Sequence, residues 1–355
     1  MKLTKKNLDG PKPGREVCVN SHSHAFLILF LLFGLLLTAS ASSTIAATYY
    51  LDNSATGANN GGFGNDAWQT IGDMQNALNG LSYNGSEDTV IVMTGSGSYG
   101  RFVETSVSRT DWLTIKAGPN QYPVFDSISL MNNIDVNTYL RFEGLTIKIP
   151  DSWYTDHGYV TDQPNNWPTP PTSSSPRSQN DNITDHCIIA NQANNLYFYM
   201  CTIIGLNHHL TYRAIDLTYC DNVTVERCDI SIVKRPVTAL ACNYFQAKWN
   251  HIHDYGGGSG IGVRPLGATG SQIVGTKIIG NHIHHDIQGS SIATDPYYPE
   301  VDYHGGTAIA VRICNVDIQK NLIHDLRGQG IMFYTNDNGV TYTYSNILVE
   351  NNLIY

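Results

Sequence analysis

Three phrases decide the fold: NHIHDYGGGSGIGVR from Asn250, NHIHHDIQGSSI from Asn281 and NLIHDLRGQGIMFY from Asn321. Each holds an Asn, an Ile two places on, a His or His-Asp, a Gly-rich break, and then an Ile-led apolar stretch. A unit that recurs at such a period cannot bury its apolar face alone and must stack on its own kind. Read outward, the unit is apolar, x, apolar, x, x, Asn/Cys/Leu, x, apolar. It fits seven times, anchored at Leu145, Cys201, Cys228, Asn250, Asn281, Asn321 and Asn352. The shortest spacing, 22 residues between Cys228 and Asn250, suits one coil of three short strands. Longer spacings imply loops, and the 56 residues between Leu145 and Cys201 leave room for an extra coil. Alternation sends Val316 and Ile318 inward, and the Asn can bend the chain and bond the Asn above and below.

Composition agrees. Charged residues make up only 14%, with 32 Gly and 21 Tyr, which suits short strands and tight turns. The net charge is −9, and because residues 1–47 hold five basic and two acidic residues, the remainder carries −12. That excludes a nucleic-acid partner, which needs a basic face. Basic residues ahead of an apolar run at 25–37, with Ala39-Ser40-Ala41 or Ala46-Ala47 after it, read as a cleaved signal peptide over 1–47. The run is short for a membrane span, so a secreted or cell-surface monomer is expected. No CxxC occurs among the seven Cys. Cys201 with Cys228, and Cys220 with Cys242, share places in the repeat and read as small apolar thiols stacked in neighbouring coils.

Residues 48–85 read as an N-terminal cap. Apolar residues at 68, 71, 74, 78 and 81 give a helix over 68–81 with Asp66 as N-cap, and 89–93 and 112–116 read as strands. Coils follow over 86–355, broken by insertions at 150–185 and 293–306. The last unit stops in mid-coil without a polar cap, so a chain truncated at its C-terminus is expected.

These phrases resemble the right-handed parallel β-helix superfamily, the pectate-lyase-like fold. The opening YYLDNSATGANNGGFGNDAWQTI is similar to the start of exported bacterial β-helix proteins, many of them polysaccharide lyases. The resemblance covers roughly residues 48–355. It implies an all-β solenoid in which the Asn turn joins the second and third strands of a coil and the active site lies along the first. The matching first strands are 214–218, 260–264, 308–312 and 330–334. Alternation there sends Asp216, Arg264, Arg312, Met332 and Tyr334 outward.

Arg264 and Arg312 hold one place in adjacent coils. Two guanidinium groups about 4.8 Å apart repel unless an anion lies between them. A uronate carboxylate is one such anion; Asp295, Glu300 or Asp302 of the inserted loop is another. With Asp216 and Tyr303 they make up the expected substrate-binding set. β-Elimination also needs a base for the proton α to the carboxylate. Family lyases often use Lys or Arg, many with Ca²⁺ held by acidic residues, so Ca²⁺ is the cofactor the resemblance implies. No Lys stands on the outward face, and the base role falls to Tyr334 or His304, with Tyr303 a further candidate. Lys234-Arg235 reads as a solvated turn. His253, His284 and His324, with Asp254, Asp286 and Asp325, recur after the third strand. Recurrence in every coil favours a stabilising ladder over a site needed once, and no metal is assigned to it. Trp153, Tyr154, Trp167, Tyr297 and Tyr298 either stack on sugars or pin the loops. The expectation is a secreted protein acting on an acidic polysaccharide, most simply as a lyase. The alternatives are a non-catalytic envelope or adhesive β-helix, or a hydrolase or epimerase on the same fold.

Overall fold

The computed structural model describes residues 46–80, 87–104, 107–150, 186–205, 213–256, 258–265, 273–284, 306–312, 315–326, 328–334, 336–337, 340–341 and 344–355. The expected signal peptide, both insertions apart from their edges, Tyr303 and His304 lie outside the described residues. Among these, no helix is long and apolar enough to cross a membrane.

The parallel strands line three faces of one column, here called sheets; two long strands join the first two into one 16-stranded sheet, and a short antiparallel pair, Asn336–Asp337 with Val340–Thr341, stands apart from them. The first sheet takes residues 127–131 of the strand Ser127–Glu143 and 186–191 of His186–Tyr199. It continues through Arg213–Thr218, Arg235–Leu240, Ser259–Arg264, Thr307–Val311 and Ile331–Phe333. The second sheet begins with Thr48–Leu51, Asp88–Val92 and Leu113–Ala117 and takes the later halves of the same two long strands. Val223–Glu226, Gln246–Lys248, Thr276–Ile279, Val316–Gln319 and Ile347–Glu350 complete it. The third is an eight-stranded sheet from Val124–Phe125 to Leu353–Ile354. The architecture is the expected parallel β-helix, and Val263 pairs with Val311 as the stacking requires.

Register explains the core. Ile128, Ile188, Ile215, Val237, Ile261 and Ile309 are successive partners in the first sheet and all are fully buried. Phe142, Phe198, Val225, Ala247, Ile278 and Ile318 do the same in the second, with the Phe142 and Phe198 rings stacked. Phe125, Ile147, Ile203, Ile230, Ile252, Ile283 and Ile323 complete the third wall. Each large aliphatic side chain so buried contributes roughly 1.5–3 kcal/mol.

Each coil bends at two left-handed residues that flank the second strand. The residue before it is Tyr139, Asn195, Asn222, Tyr244, Gly275, Asn315 or Asn346, with φ from 46° to 72°. The residue before the Asn/Cys/Leu anchor is Gly144, Met200, Arg227, Trp249, Gly280, Lys320 or Asn351, with φ from 52° to 69°. The bend therefore sits one residue ahead of the anchor, and the anchor locks it. Asn250 Nδ2 donates to Asn281 Oδ1 at 2.9 Å, Asn281 to Asn321 at 3.0 Å, and Asn321 to Asn352 at 2.8 Å. In the coils without Asn, Cys201 and Cys228 occupy the same buried place as free thiols, as expected.

Three expectations are corrected. No extra coil lies between Leu145 and Cys201, because Phe142 pairs directly with Phe198 and Thr146 with Thr202. The helix runs Ile71–Gly80, not from 68: Trp68 is held in a parallel bridge to Leu51, with its N–H on the Tyr50 carbonyl. Thr70 is the cap, its Oγ1 accepting the Asp73 N–H at 3.0 Å while its hydroxyl donates to the Asp73 carboxylate at 2.6 Å. Asp66 sits in a preceding 3-10 turn and takes the Ala58 N–H. Ile71, Met74 and Leu78 of the helix join the core cluster. At the other end, Val349 and Ile354 stand 44% and 49% exposed at places where Ile318 and Ile323 are fully buried.

Candidate functional site

The first sheet carries two outward columns set by the strand pleat. Ser129, Ile189, Asp216, Thr238, Gly262, Ala310 and Met332 form one. Asn191, Thr218, Leu240 and Arg264 form the other, extended by Arg312 and Tyr334, the residues after Val311 and Phe333. Arg264, Arg312 and Tyr334 thus occupy one place in three successive coils, all partly exposed. Backbone bonds fix the register: Arg312 N–H donates to Val263 and Tyr334 N–H to Val311. The Arg312 guanidinium lies over the Tyr334 ring at 4.2 Å, and the Tyr334 carbonyl accepts the Tyr344 hydroxyl.

Asp216 stands on the same face but is only 6% exposed. Its Oδ2 takes the Arg213 guanidinium, with His186 Nε2 at 3.2 Å, while its Oδ1 makes no hydrogen bond to the described residues. Burial pushes this carboxyl up. The His186 imidazole and the Arg213 charge outweigh burial and leave it below the usual carboxylate range. Arg235 is not in a solvated turn. It opens the strand Arg235–Leu240 directly beside Arg213, and its stem packs along Gly258. Sequence reasoning passed over His186 and Arg213 and read Arg235 as turn, because a strand's first residue looks like loop when loops flank it on the N-terminal side.

A second polar constellation covers the third sheet. Its inward Ile column is flanked by two outward columns, Asp229–His251–His282–Leu322 and Ser231–His253–His284–His324. Contacts run along diagonals between coils. His251 Nε2 meets His284 Nε2 at 2.8 Å, and His282 Nε2 meets His324 Nε2 at 2.7 Å. Asp229 Oδ1 lies 2.9 Å from His251 Nδ1 and 3.1 Å from His253 Nε2. His253 Nδ1 reaches Asp254 Oδ2 at 2.9 Å and His324 Nδ1 reaches Asp325 Oδ2 at 2.7 Å. The rings stack, His284 on His324 at 5.0 Å and 4°. The expected ladder of His253, His284 and His324 is present, and His251, His282 and Asp229 join it. The signal was in the phrase NHIH, whose two His flank an inward Ile and so both point out. Asp286 lies outside the described residues, as do Asp295, Glu300, Asp302, Tyr297, Tyr298, Trp153, Tyr154 and Trp167.

No protein-family model and no curated protein sequence matches this chain. Among solved structures it is similar to two crystal structures of the pectin methylesterase from Aspergillus niger, one in the deglycosylated and one in the penultimately deglycosylated form. Identity is 14% and 15%, with TM-scores of 0.43 and 0.45, over 89% of this chain and 87% of each enzyme. The fold assignment rests on the strand register above and not on this likeness.

Proposed function

We propose that the outward face of the first sheet binds an acidic, uronate-containing polysaccharide and cleaves it by β-elimination. One observation carries the reading: Arg264, Arg312 and Tyr334 share one place in three successive coils. Adjacent guanidinium groups on parallel strands favour a shared anion, and a carboxylate matches the guanidinium fork. Asp216, with Oδ1 unengaged among the described residues, offers an acceptor for a sugar hydroxyl.

In the reaction a base removes the proton α to the carboxylate. The charge that develops on the carboxylate is neutralised by Arg264 and Arg312. The electron pair then forms a carbon–carbon double bond as the β-oxygen of the glycosidic bond departs and takes up a proton. Tyr334 beneath Arg312 is the described candidate for the base, with His304 and Tyr303 the others. A bound Ca²⁺ would supply positive charge to the same end, and of the outward residues named above only Asp216 could offer it a carboxylate, one already facing Arg213 and His186.

The test is the ultraviolet absorbance of the unsaturated product, followed with pectate, alginate and glycosaminoglycans, with Ca²⁺ and with chelator. Arg264→Ala and Arg312→Ala should each weaken polysaccharide binding roughly 10- to 100-fold, the loss of one charge-assisted hydrogen bond. The thermal midpoint should stay near that of the parent. Absence of absorbance change on every uronate polymer removes the elimination step. Unchanged binding in both variants removes the site.

A further inference from the structure

We propose that Asp229, His251 and His253 form a binding site for one divalent transition-metal ion of the zinc class, on the third sheet and separate from the arginine face. The three donors come from two adjacent coils. Asp229 opens the third-sheet strand Asp229–Ser231 of one coil, and His251 and His253 flank the inward Ile252 of the next. Asp229 Oδ1 already stands 2.9 Å from His251 Nδ1 and 3.1 Å from His253 Nε2. Ligands of a tetrahedral ion with bonds of about 2.0–2.1 Å stand roughly 3.3 Å apart, so Asp229 Oδ1 needs to draw back from each ring by only a few tenths of an ångström, and the donor atoms of all three residues lie within 4.8 Å of one another.

The far side of each ring is also set. His253 presents its other nitrogen, Nδ1, to Asp254 Oδ2 at 2.9 Å. His251 presents Nε2 to His284 Nε2 at 2.8 Å. A metal-bound imidazole must keep its proton on the nitrogen away from the ion, and a carboxylate or another acceptor there fixes the tautomer.

The donor set also chooses the class of ion. Two imidazoles and one carboxylate suit zinc, cobalt, nickel or copper, whereas Ca²⁺ and Mg²⁺ prefer oxygen throughout. The Asp229 and His251 side chains are 48% and 45% exposed, which leaves an approach for the ion and space for water in the remaining position. His251, His282 and His284 also lie close enough to share an ion. That set lacks a carboxylate and would break the contact between His251 and His284. The Asp229 set uses that contact to orient its ligand. An ion there clips the coil of Asp229–Ser231 to the coil of His251–Ile252.

The experiment is calorimetric titration of the full chain, stripped with chelator, with Zn²⁺ and with Co²⁺, the latter also followed by its visible ligand-field bands. One ion per chain is expected, not displaced by Ca²⁺. Asp229→Asn and His253→Ala should each weaken binding by more than about 100-fold, and Asp254→Asn by about 10- to 100-fold as a residue acting through His253. His324→Ala, two coils away, should leave affinity unchanged. The proposal is overturned if the parent chain binds no ion. It is equally overturned if Asp229→Asn and His253→Ala bind like the parent while His282→Ala does not, which puts the ion on the histidine-only set.

Discussion

Burial alone would push the Asp216 carboxyl up, yet it is held below the usual carboxylate range by His186 and Arg213. The folded state therefore favours the charged form, and the stabilisation this gives is present above the unfolded carboxylate value of about 3.9. It fades as pH falls through the lower folded value. Asp216→Asn takes the carboxylate charge away from Arg213 and His186 and should cost on the order of 2 kcal/mol at neutral pH, the loss of a charge-assisted hydrogen bond. Denaturant titrations at neutral pH and near pH 3 check the sign; an equal cost at both would show that charge is not the cause. At this scale the sequence was partly legible. Parity placed Arg264, Arg312 and Tyr334 on one face because side chains alternate strictly along a strand. It could not reveal that Asp216 is buried, because burial depends on what lies over the face and not on the strand that carries it.

At the scale of single elements, the helix Ile71–Gly80 was visible from its apolar spacing, and its start was not. Trp68 continues that spacing but is taken by the bridge to Leu51, so the chain turns into the helix only at Thr70. Thr70→Ala removes the cap and should destabilise the chain by about 1 kcal/mol, read as a lower denaturation midpoint, whereas Asp66→Ala should leave the helix start intact. The coil bends were hidden for a related reason. Met200, Arg227, Trp249 and Lys320 are not residues that favour left-handed backbone, and each such conformation costs roughly 1–2 kcal/mol. Stacking of the strands on either side offsets that cost. Asn195, Asn222, Asn315 and Asn346 at the other bend do carry the local preference.

Across the whole molecule each coil touches mainly its two neighbours, so stability is close to a sum of coil and interface terms. The Asn anchors are the most legible part of this arrangement, since a polar residue repeated at an apolar place needs a partner of its own kind. Asn281 is fully buried and bonds in both directions, to Asn250 and Asn321. Asn281→Ala removes the acceptor of the Asn250 backbone N–H and of one Asn250 side-chain N–H, the other staying on the Val225 carbonyl, and should cost on the order of 3 kcal/mol. Unfolding should then lose its single transition, and limited proteolysis should cut near the weakened interface. Asn352→Ala, at a half-buried place, should cost less. The insertions stayed opaque to the sequence because their spacing carries no period from which a position could be read.

The asparagine seam has a polarity. The backbone N–H groups of Asn250, Asn281 and Asn321 each end on the side-chain oxygen of the anchor ahead, at 3.1, 2.9 and 3.0 Å, and the Cys228 N–H ends on Asn250 in the same sense. Each of these amides is shielded by its successor rather than by its own coil. The column consequently carries its own row of sentinels: the deuterium uptake of one anchor records whether the next turn of the spiral is in place, and local opening can be timed coil by coil.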